Sequence, residues 1–253
     1  MQENWIPVND ALAERVRRLI VYPSGDYESA KERSRLISEM GVSHIRLSGD
    51  AQVCNVNVLG KGKTSVVLEC LWKETVAAIK LMRLDSPVRD FDFEAKVMME
   101  ANGSLLGPKL FASSEEVLIM EKVEGKPLGV WLDHGESLHR RDIMCEILRQ
   151  ARTLDRIGIR HNELSNPSKH IIVKKDRPVL IDFGSSTYGS RGHNVASLFQ
   201  FLCIRRRQCA TSEGATNKKM FEALAEYRKN PGEPEFRSIL NLAEQSWKEA
   251  CTT

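Results

Sequence analysis

The feature that most constrains this chain is a lysine embedded in an apolar, strand-like run. Residues 75–81 read TVAAIKL, a composition typical of a buried strand. Because burying an unpaired ammonium group is costly, Lys80 needs an acidic partner unless it lies on an edge strand and points to solvent. Glu94 is the candidate partner, since it follows 14 residues later on a predicted helix and shares a face with Phe91 and Met98.

A glycine-rich turn precedes this strand. Segments 52–59 and 66–72 are rich in Val, Leu and Cys and predict a β-hairpin, with Gly60, Lys61 and Gly62 between its strands. Absent side chains let backbone amides approach phosphate oxygens, and neighbouring lysines add positive charge. The alternative is a simple hairpin turn without a ligand.

A second cluster of polar residues surrounds a later predicted hairpin, formed by strands at 170–173 and 178–181. Asp182-Phe183-Gly184 follows it, and His161-Asn162-Glu163-Leu164 precedes it. A carboxylate at a strand end can bind Mg²⁺, which prefers oxygen ligands and shares them with phosphates. The alternative is an ordinary turn of Asp followed by Gly. Glu163 and Asp182 flank one strand pair and are expected to face one pocket.

The pattern of predicted elements divides the chain into three parts: an N-terminal helical extension (1–42), a β-rich lobe (43–123) and an α-rich lobe (124–253). The extension holds two helices within residues 10–40, and Asp26 is expected to cap the second. The helix of the β-rich lobe is predicted to begin at Asp85-Ser86-Pro87 and to end at Asn102-Gly103. The other predicted elements are a strand at 117–123 and four helices. One helix spans 139–158, a second begins after Asn194 as its N-cap, and two more lie at about 217–229 and at 233–250.

Composition restricts the class of protein. The chain has 253 residues, of which 42% are hydrophobic and 28% charged, so disorder and low-complexity arrays are excluded. Its net charge of +3 is too small to argue by itself for nucleic-acid binding. We expect a cytoplasmic protein without a membrane partner, because the sequence lacks an apolar run of ~20 residues and a signal-peptide core. The six cysteines form no zinc-like pattern and are expected to be reduced thiols.

Taken in order, these motifs resemble the protein-kinase-like superfamily over about residues 52–205. Within it, the chain looks most like small archaeal predicted Ser/Thr protein kinases, which are relatives of the RIO and piD261-type atypical kinases. The matching positions are Gly60, Gly62, Ser65 and Val67 (nucleotide loop), Ala78-Ile79-Lys80 (A-x-K strand), Glu94-Ala95 (partner helix), Met120-Glu121-Lys122-Val123 (hinge), Gly107-Pro108-Lys109-Leu110, Glu163-Leu164-Ser165 with Lys169-His170, Asp182-Phe183-Gly184, and the N-terminal YPSG segment.

The resemblance implies an α+β, bilobal kinase-like fold with a β-rich N-lobe, a reduced α-rich C-lobe and the N-terminal helical extension. It implies an atypical Ser/Thr protein kinase that transfers the ATP γ-phosphoryl group to a hydroxyl of an unknown protein substrate. Glu163, Lys80 and Asp182 would be the catalytic residues, with Mg²⁺ held by Asp182 and by Asn166 or His170. The implied nucleotide-binding residues are Gly60, Lys61, Gly62, Ser65, Val67, Ala78, Lys80, Glu94, Glu121 and Val123.

The catalytic loop departs from the family pattern H-R-D-L-x-x-x-N. Asn162 replaces the usual Arg and Glu163 the usual Asp. The extra methylene moves the carboxylate by about 1.5 Å, and a misplacement of about 1 Å can cost about 100-fold in rate. The loop is two residues longer than usual, so His170 occupies the place of the metal-binding Asn and Asn166 lies inside the loop.

Two other functions therefore stay open: an ATP-binding pseudokinase acting as a scaffold, and a small-molecule phosphotransferase. The atypical relatives associate with ribosome or tRNA machinery, which implies a ribosome- or tRNA-related partner. Arg205-Arg206-Arg207 and Lys218-Lys219 are the candidate surface, and charge at helix ends is the alternative explanation for both clusters.

Overall fold

The computed structural model describes residues 5–8, 14–24, 26–134, 140–189, 192–205 and 214–250. These residues form a mixed α+β fold with a large antiparallel sheet and several helices. The chain divides into two units, one comprising Met1–Asn102 with Pro108–Lys122 and the other Gly103–Gly107 with Val123–Thr253. The N-terminal helices thus belong to the same unit as the large sheet.

The first unit is built mainly from antiparallel strands. Its elements in chain order are β1 (Trp5–Pro7), α1 (Glu14–Ile20), α2 (Tyr27–Glu39), β2 (Val42–Arg46), β3 (Ala51–Val53), β4 (Val56–Val58), β5 (Gly60–Lys61), β6 (Ser65–Trp72), β7 (Thr75–Met82), α3 (Asp92–Gly103), β8 (Leu110–Ser113) and β9 (Val117–Glu121). Among its described residues, seven strands form one sheet in the order β1-β2-β6-β7-β9-β8, with β5 also paired to β6, while β3 and β4 form a separate hairpin.

The central strands β6 and β7 have two different faces, because side chains alternate along a strand. Val67 lies opposite Lys80 and Glu69 lies opposite Ala78, so these four residues share one face. The other face joins the N-terminal helices in one apolar core. That core includes Val66, Leu68 and Cys70 of β6, Ala77, Ile79 and Leu81 of β7, and Val16, Leu19, Ile20, Ala30 and Ile37 of α1 and α2.

The structure confirms two helix ends of this unit and corrects one. Asp26 caps α2 by accepting the N–H of Ser29 at 2.9 Å, and α3 ends at Gly103, as predicted. The predicted start of α3 at Asp85-Ser86-Pro87 is wrong, since the helix begins at Asp92. The Ser86 hydroxyl instead accepts the N–H of Val88 at 3.1 Å, a local turn that competes with helix formation.

The predicted hairpin around the glycine-rich turn is in fact two hairpins. β3 and β4 pair with each other, and β5 pairs with the start of β6. The turn between β3 and β4 consists of Cys54 and Asn55, which both have positive φ (50° and 62°). Two such residues are what a two-residue type I′ turn requires, although it usually contains glycine. Lys73 and Glu74 form the same kind of turn between β6 and β7 (φ 45° and 64°).

The second unit contains most of the helices. The elements are β10 (Lys126–Pro127), α4 (Leu128–His134), α5 (Arg140–Ile157), β11 (Ile159–Arg160), β12 (Ile171–Lys174), β13 (Arg177–Leu180), β14 (Thr187–Tyr188), α6 (His193–Phe199), a π-helical segment (Gln200–Arg205), α7 (Gly214–Lys229) and α8 (Glu233–Ala250). A three-stranded sheet has the order β10-β12-β13, and β11 pairs with β14. The helices and the hairpin predicted for this region are all present, within a few residues of their predicted ends.

The described cysteines differ in their state. Cys54, Cys70 and Cys145 are free thiols, as expected, and burial raises the pKa of Cys70 and of Cys145 to about 12. Cys203 is disulfide-bonded, so the expectation of reduced thiols is wrong for this residue. Cys209 and Cys251 lie outside the described residues.

None of the helices in the described parts of the chain combines the length and the apolar character that crossing a membrane requires.

A buried arginine attaches α2 to the end of strand β7 and to the turn between β8 and β9. The Arg33 side chain is only 4% exposed. Its Nη1 donates to the carbonyls of Ile20 and Met82 at 2.9 and 2.7 Å, while Nε and Nη2 donate to Glu116 Oε2 at 2.9 and 2.7 Å. One guanidinium group therefore joins the end of α1, the end of β7 and the β8–β9 turn.

We expect the substitution Arg33→Met to lower the free energy of unfolding of the first unit by about 2–4 kcal/mol, because it leaves two buried carbonyls without a donor. Hydrogen exchange of the β7 amides measures this loss. Arg35→Met is the matched control on the same helix: the Arg35–Glu39 pair is exposed, so its loss should leave the stability of the unit nearly unchanged. Equal losses in the two variants would contradict the role assigned to Arg33.

Candidate functional site

Lys80 and Glu94 form the buried ion pair that the sequence predicts. Lys80 lies on β7, which pairs with β6 on one side and β9 on the other, so the edge-strand alternative is excluded. Its side chain is 7% exposed, and Nζ donates to the two carboxylate oxygens of Glu94 at 2.7 and 2.9 Å. Glu94 lies in the first turn of α3, and Ala95 and Met98 are buried on the same helix. Packing of the apolar face of α3 thus places the Glu94 carboxylate next to Lys80 of the sheet.

The register of the sheet brings several predicted nucleotide-binding residues to the Lys80 face. Gly60 pairs with Val67, and Val67 pairs with Lys80, so these residues form one row across three strands. Ala78 lies two residues before Lys80 on the same face and pairs with Met120 of β9. We call this group of residues, Gly60, Val67, Ala78 and Lys80 with Glu94, the lysine face.

The predicted hinge residues lie at the end of β9. Glu121 pairs with Ala77 of β7, and its N–H donates to the carbonyl of Lys109 at 2.8 Å. Val123 belongs to the second unit. A role of these residues in adenine binding stays a prediction.

The glycine-rich turn beside the lysine face is closed by hydrogen bonds. The N–H of Gly62 donates to the carbonyl of Ser65 at 2.8 Å. Arg83 holds the turn from outside, since its N–H donates to the carbonyl of Thr64 at 2.9 Å and its Nη1 to the carbonyl of Gly62 at 3.0 Å. Ser65 is buried, whereas Lys61 is exposed. The turn is therefore fixed by a residue that the sequence motif does not include.

Glu69 is a buried residue next to the lysine face that sequence reasoning missed. Its carboxylate, 1% exposed, accepts hydrogen bonds from Arg46, from Ser48 at 2.5 Å and from Lys122 at 2.9 Å. Burial by itself would raise the pKa of Glu69, but these three donors outweigh burial and lower it below its usual value. Glu69 thus joins β6 to the segment after β2 and, through Lys122, to the predicted hinge.

The second unit brings together three of the predicted site residues. His170 Nε2 lies 3.7 Å from Glu163 Oε2, and His170 Nδ1 lies 3.9 Å from Asp182 Oδ2. The imidazole therefore contacts both carboxylates, one through each nitrogen. The side chains of Glu163 and Asp182 are 42% and 48% exposed, so both carboxylates are accessible to a ligand.

Hydrogen bonds between two segments create this cluster. The N–H of Ile181 donates to the carbonyl of His170 at 2.9 Å, and Asn162 Nδ2 donates to the carbonyl of Ser185 at 2.5 Å. His161 Nε2 lies 3.0 Å from the carbonyl of Ile181, and burial lowers the pKa of this histidine. Because a carbonyl oxygen only accepts, Nε2 donates to Ile181, and this bond ties the imidazole to the segment before Asp182.

A buried polar network around Asn194 and Asp155 is hydrogen-bonded to the same loop. The position of Asn194 in this network differs from the one expected from the sequence. Asn194 was expected to cap α6, but Gly192 holds the cap position and Asn194 is a buried residue inside the helix. It accepts the N–H of His161 at 2.9 Å and donates to Asp155 at 2.8 Å and to the carbonyl of Ile159 at 2.7 Å. Asp155 also accepts the Tyr227 hydroxyl at 2.9 Å. Burial, only partly offset by these donors, raises the pKa of Asp155.

The Asp182 carboxylate suits a shared rather than a closed metal site. Across the residues that the structure describes, no group of three or more His, Cys, Asp or Glu side chains is arranged to hold a metal ion. Mg²⁺ typically uses one or two carboxylates plus substrate phosphates, so the Asp182 carboxylate fits such a site. Asn166 supplies an amide oxygen and fits the preference of Mg²⁺ better than the His170 nitrogens do.

The basic clusters of the sequence gain little support as a surface. Arg206 and Arg207 lie outside the described residues. Lys218 is exposed and pairs with Glu222 at 3.9 Å, four residues along α7. Such a pair is common on solvated helices.

A comparison with protein-family models finds no match for this chain, and a comparison with curated proteins finds no match either.

We expect Glu69→Gln to destabilise the first unit by about 2–3 kcal/mol near neutral pH, because Arg46 and Lys122 lose a buried anionic partner. A carboxyl group whose pKa is lowered by folding stabilises the folded state above its unfolded pKa. The advantage of the wild type should therefore persist above the ordinary value of 4.5 and shrink as the pH falls below it. Hydrogen exchange of the β6 and β7 amides over this pH range measures the difference.

Glu74→Gln is the control for this prediction, since Glu74 is exposed in the β6–β7 turn. It should change the stability by less than about 0.5 kcal/mol at neutral pH. A Glu69→Gln deficit that stayed constant down to about pH 3 would show that the charge of Glu69 is not what stabilises the fold.

Proposed function

We propose that this protein is an ATP-dependent phosphotransferase of the protein-kinase-like superfamily that transfers the γ-phosphoryl group of ATP to a hydroxyl of a protein substrate. The observation that carries the proposal is the buried Lys80–Glu94 pair on the lysine face. Its Nζ is held by both Glu94 oxygens. For a purely structural role, apolar residues at these positions would give equal or greater stability, because a buried ion pair seldom adds stability over apolar packing. The bilobal kinase-like fold is part of this proposal.

The lysine face has the chemistry to bind the nucleotide. In the proposal, Lys80 contacts the α- and β-phosphates, and Glu94 fixes its position. The turn from Gly60 to Ser65 lies over the phosphates, with Val67 and Ala78 against the base. Backbone groups of residues 120–123 bind adenine, which includes Glu121 and Val123. Positioning and charge neutralisation account for most of the catalysis in this reaction class.

The accessible carboxylates of the second unit suit the other half of the reaction. Glu163 accepts the proton of the substrate hydroxyl, whose oxygen forms a bond to the γ-phosphorus as the bond to the bridging oxygen breaks and ADP leaves. Asp182 and Asn166 hold Mg²⁺, which when bound neutralises phosphate charge. His170 lies within 3.9 Å of both carboxylates, one at each ring nitrogen.

The test is transfer of labelled phosphate from the γ-position of Mg²⁺-ATP to general protein acceptors by the purified chain. Lys80→Ala, Asp182→Ala and Glu163→Gln should each reduce the transfer by about 100-fold or more, because each removes a group needed at the reacting phosphate. Lys31→Ala, at an exposed position of α2, should leave the rate unchanged. Thermal unfolding of each variant checks that it is folded.

Other results would redirect the proposal. ATP binding that depends on Lys80 but is followed by no transfer to any acceptor would identify a pseudokinase, which the replacement of the usual Asp by Glu163 favours. Label in sugars or aminoglycosides but not in protein would identify a small-molecule phosphotransferase. Absence of ATP binding to the folded wild-type chain would overturn the proposal.

A further inference from the structure

The ring of Tyr22, in the turn that follows α1, contacts two cations at the glycine-rich turn. Lys61 Nζ lies 5.3 Å from the ring centroid, and Arg83 Cζ lies 4.9 Å from it. Both distances fall within the range of a cation–π interaction. Lys61 stands between Gly60 and Gly62, so this aromatic contact acts directly on the turn that is proposed to cover the phosphates.

Arg83 connects the Tyr22 ring to the backbone of the turn. Its guanidinium donates through Nη1 to the carbonyl of Gly62, and Nε and Nη2 donate to the Asp85 carboxylate at 2.8 and 2.7 Å. Its own N–H donates to the carbonyl of Thr64. The side chain is 16% exposed and has partners on several sides, so it holds one orientation.

The backbone around Tyr22 is attached to the same region of the sheet. The carbonyl of Tyr22 accepts the N–H of Leu84 at 2.9 Å. Two residues earlier on each segment, Arg33 bridges the carbonyls of Ile20 and Met82. The end of α1 is therefore fixed to the segment that leaves β7, and that segment in turn holds the glycine-rich turn.

We infer that the N-terminal helices position the nucleotide loop, and that Tyr22, Lys61 and Arg83 form the contact through which they do so. We call these three residues the Tyr22 clamp. Glycine-rich turns lose conformational freedom when they bind a ligand, and holding the turn in place beforehand reduces that cost. The identity of the ligand, the phosphate groups of ATP, rests on the proposed function. The ordering of the turn by Tyr22 is a property of the first unit alone.

Two measurements on Tyr22→Ala test this inference: hydrogen exchange of peptides that cover residues 60–65 and 83, and the affinity for Mg²⁺-ATP by calorimetry. We expect faster exchange in these peptides with unchanged exchange in β9. The affinity should fall about fivefold, the loss expected for about 1 kcal/mol of cation–π interaction. Tyr22→Phe keeps the ring and should retain the wild-type values within about twofold.

Tyr27→Ala is the matched control, since Tyr27 begins the next helix and is 47% exposed. If Tyr22→Ala perturbs the whole unit, Arg83→Lys provides the second test, because it keeps the charge but loses the planar fork that reaches Gly62. The inference would be overturned if residues 60–65 exchanged as slowly in Tyr22→Ala as in Tyr27→Ala. It would also be overturned if they exchanged as fast in Tyr22→Phe as in Tyr22→Ala. Absence of ATP binding in the wild type would overturn the proposed function, while the exchange data would still decide on the clamp.

Discussion

The alternation of side chains between the two faces of β7 imposes the central constraint on the first unit, because this strand is buried on both faces. Ile79 enters the apolar core shared with α1 and α2, while the next residue, Lys80, meets Glu94 on the other face. A shift of the register by one residue would place the ammonium group in the apolar core and leave the carboxylate without a partner. Uncompensated buried charges cost about 3–5 kcal/mol, so the ion pair selects one register of the sheet and one position of α3. The N-terminal helices are equally necessary, since they cover the apolar face that the register creates.

Local patterns explain which parts of this arrangement could be predicted from the sequence. The strand at 75–81 and its acidic partner were predictable, because burying an ammonium group demands a nearby carboxylate and Glu94 lies on the next helix. The start of α3 was not, because the Ser86 side chain competes with the helix for a backbone N–H. The β3–β4 turn was also missed, since Cys54 and Asn55 adopt positive φ without the glycine that usually signals such a turn.

Long-range polar contacts account for what the sequence could not reveal about the candidate site. Arg33 and Glu116 are separated by 83 residues, and Asp155 and Asn194 by 39. A carboxylate such as Glu69 has no spacing rule that identifies its donors, because it depends on three segments that meet only in the folded sheet. These groups hold the motif residues in place without belonging to a motif, so a pattern of short motifs finds the candidate site residues and misses the residues that orient them.

The second unit shows how such orientation bears on the role proposed for Glu163. Backbone and side-chain hydrogen bonds of His161, Asn162 and His170 tie the loop to the Asp182 segment, and none of them involves the Glu163 carboxylate. The loop conformation is therefore set independently of the residue that would accept the proton. Glu163 has one more rotatable bond than Asp and a contact to His170 on one side, so its reach depends on the side-chain rotamer. In the proposed reaction, substrate contacts would therefore have to select the rotamer that brings the Glu163 carboxylate to the hydroxyl, which would link the acceptance of the proton to the binding of the substrate.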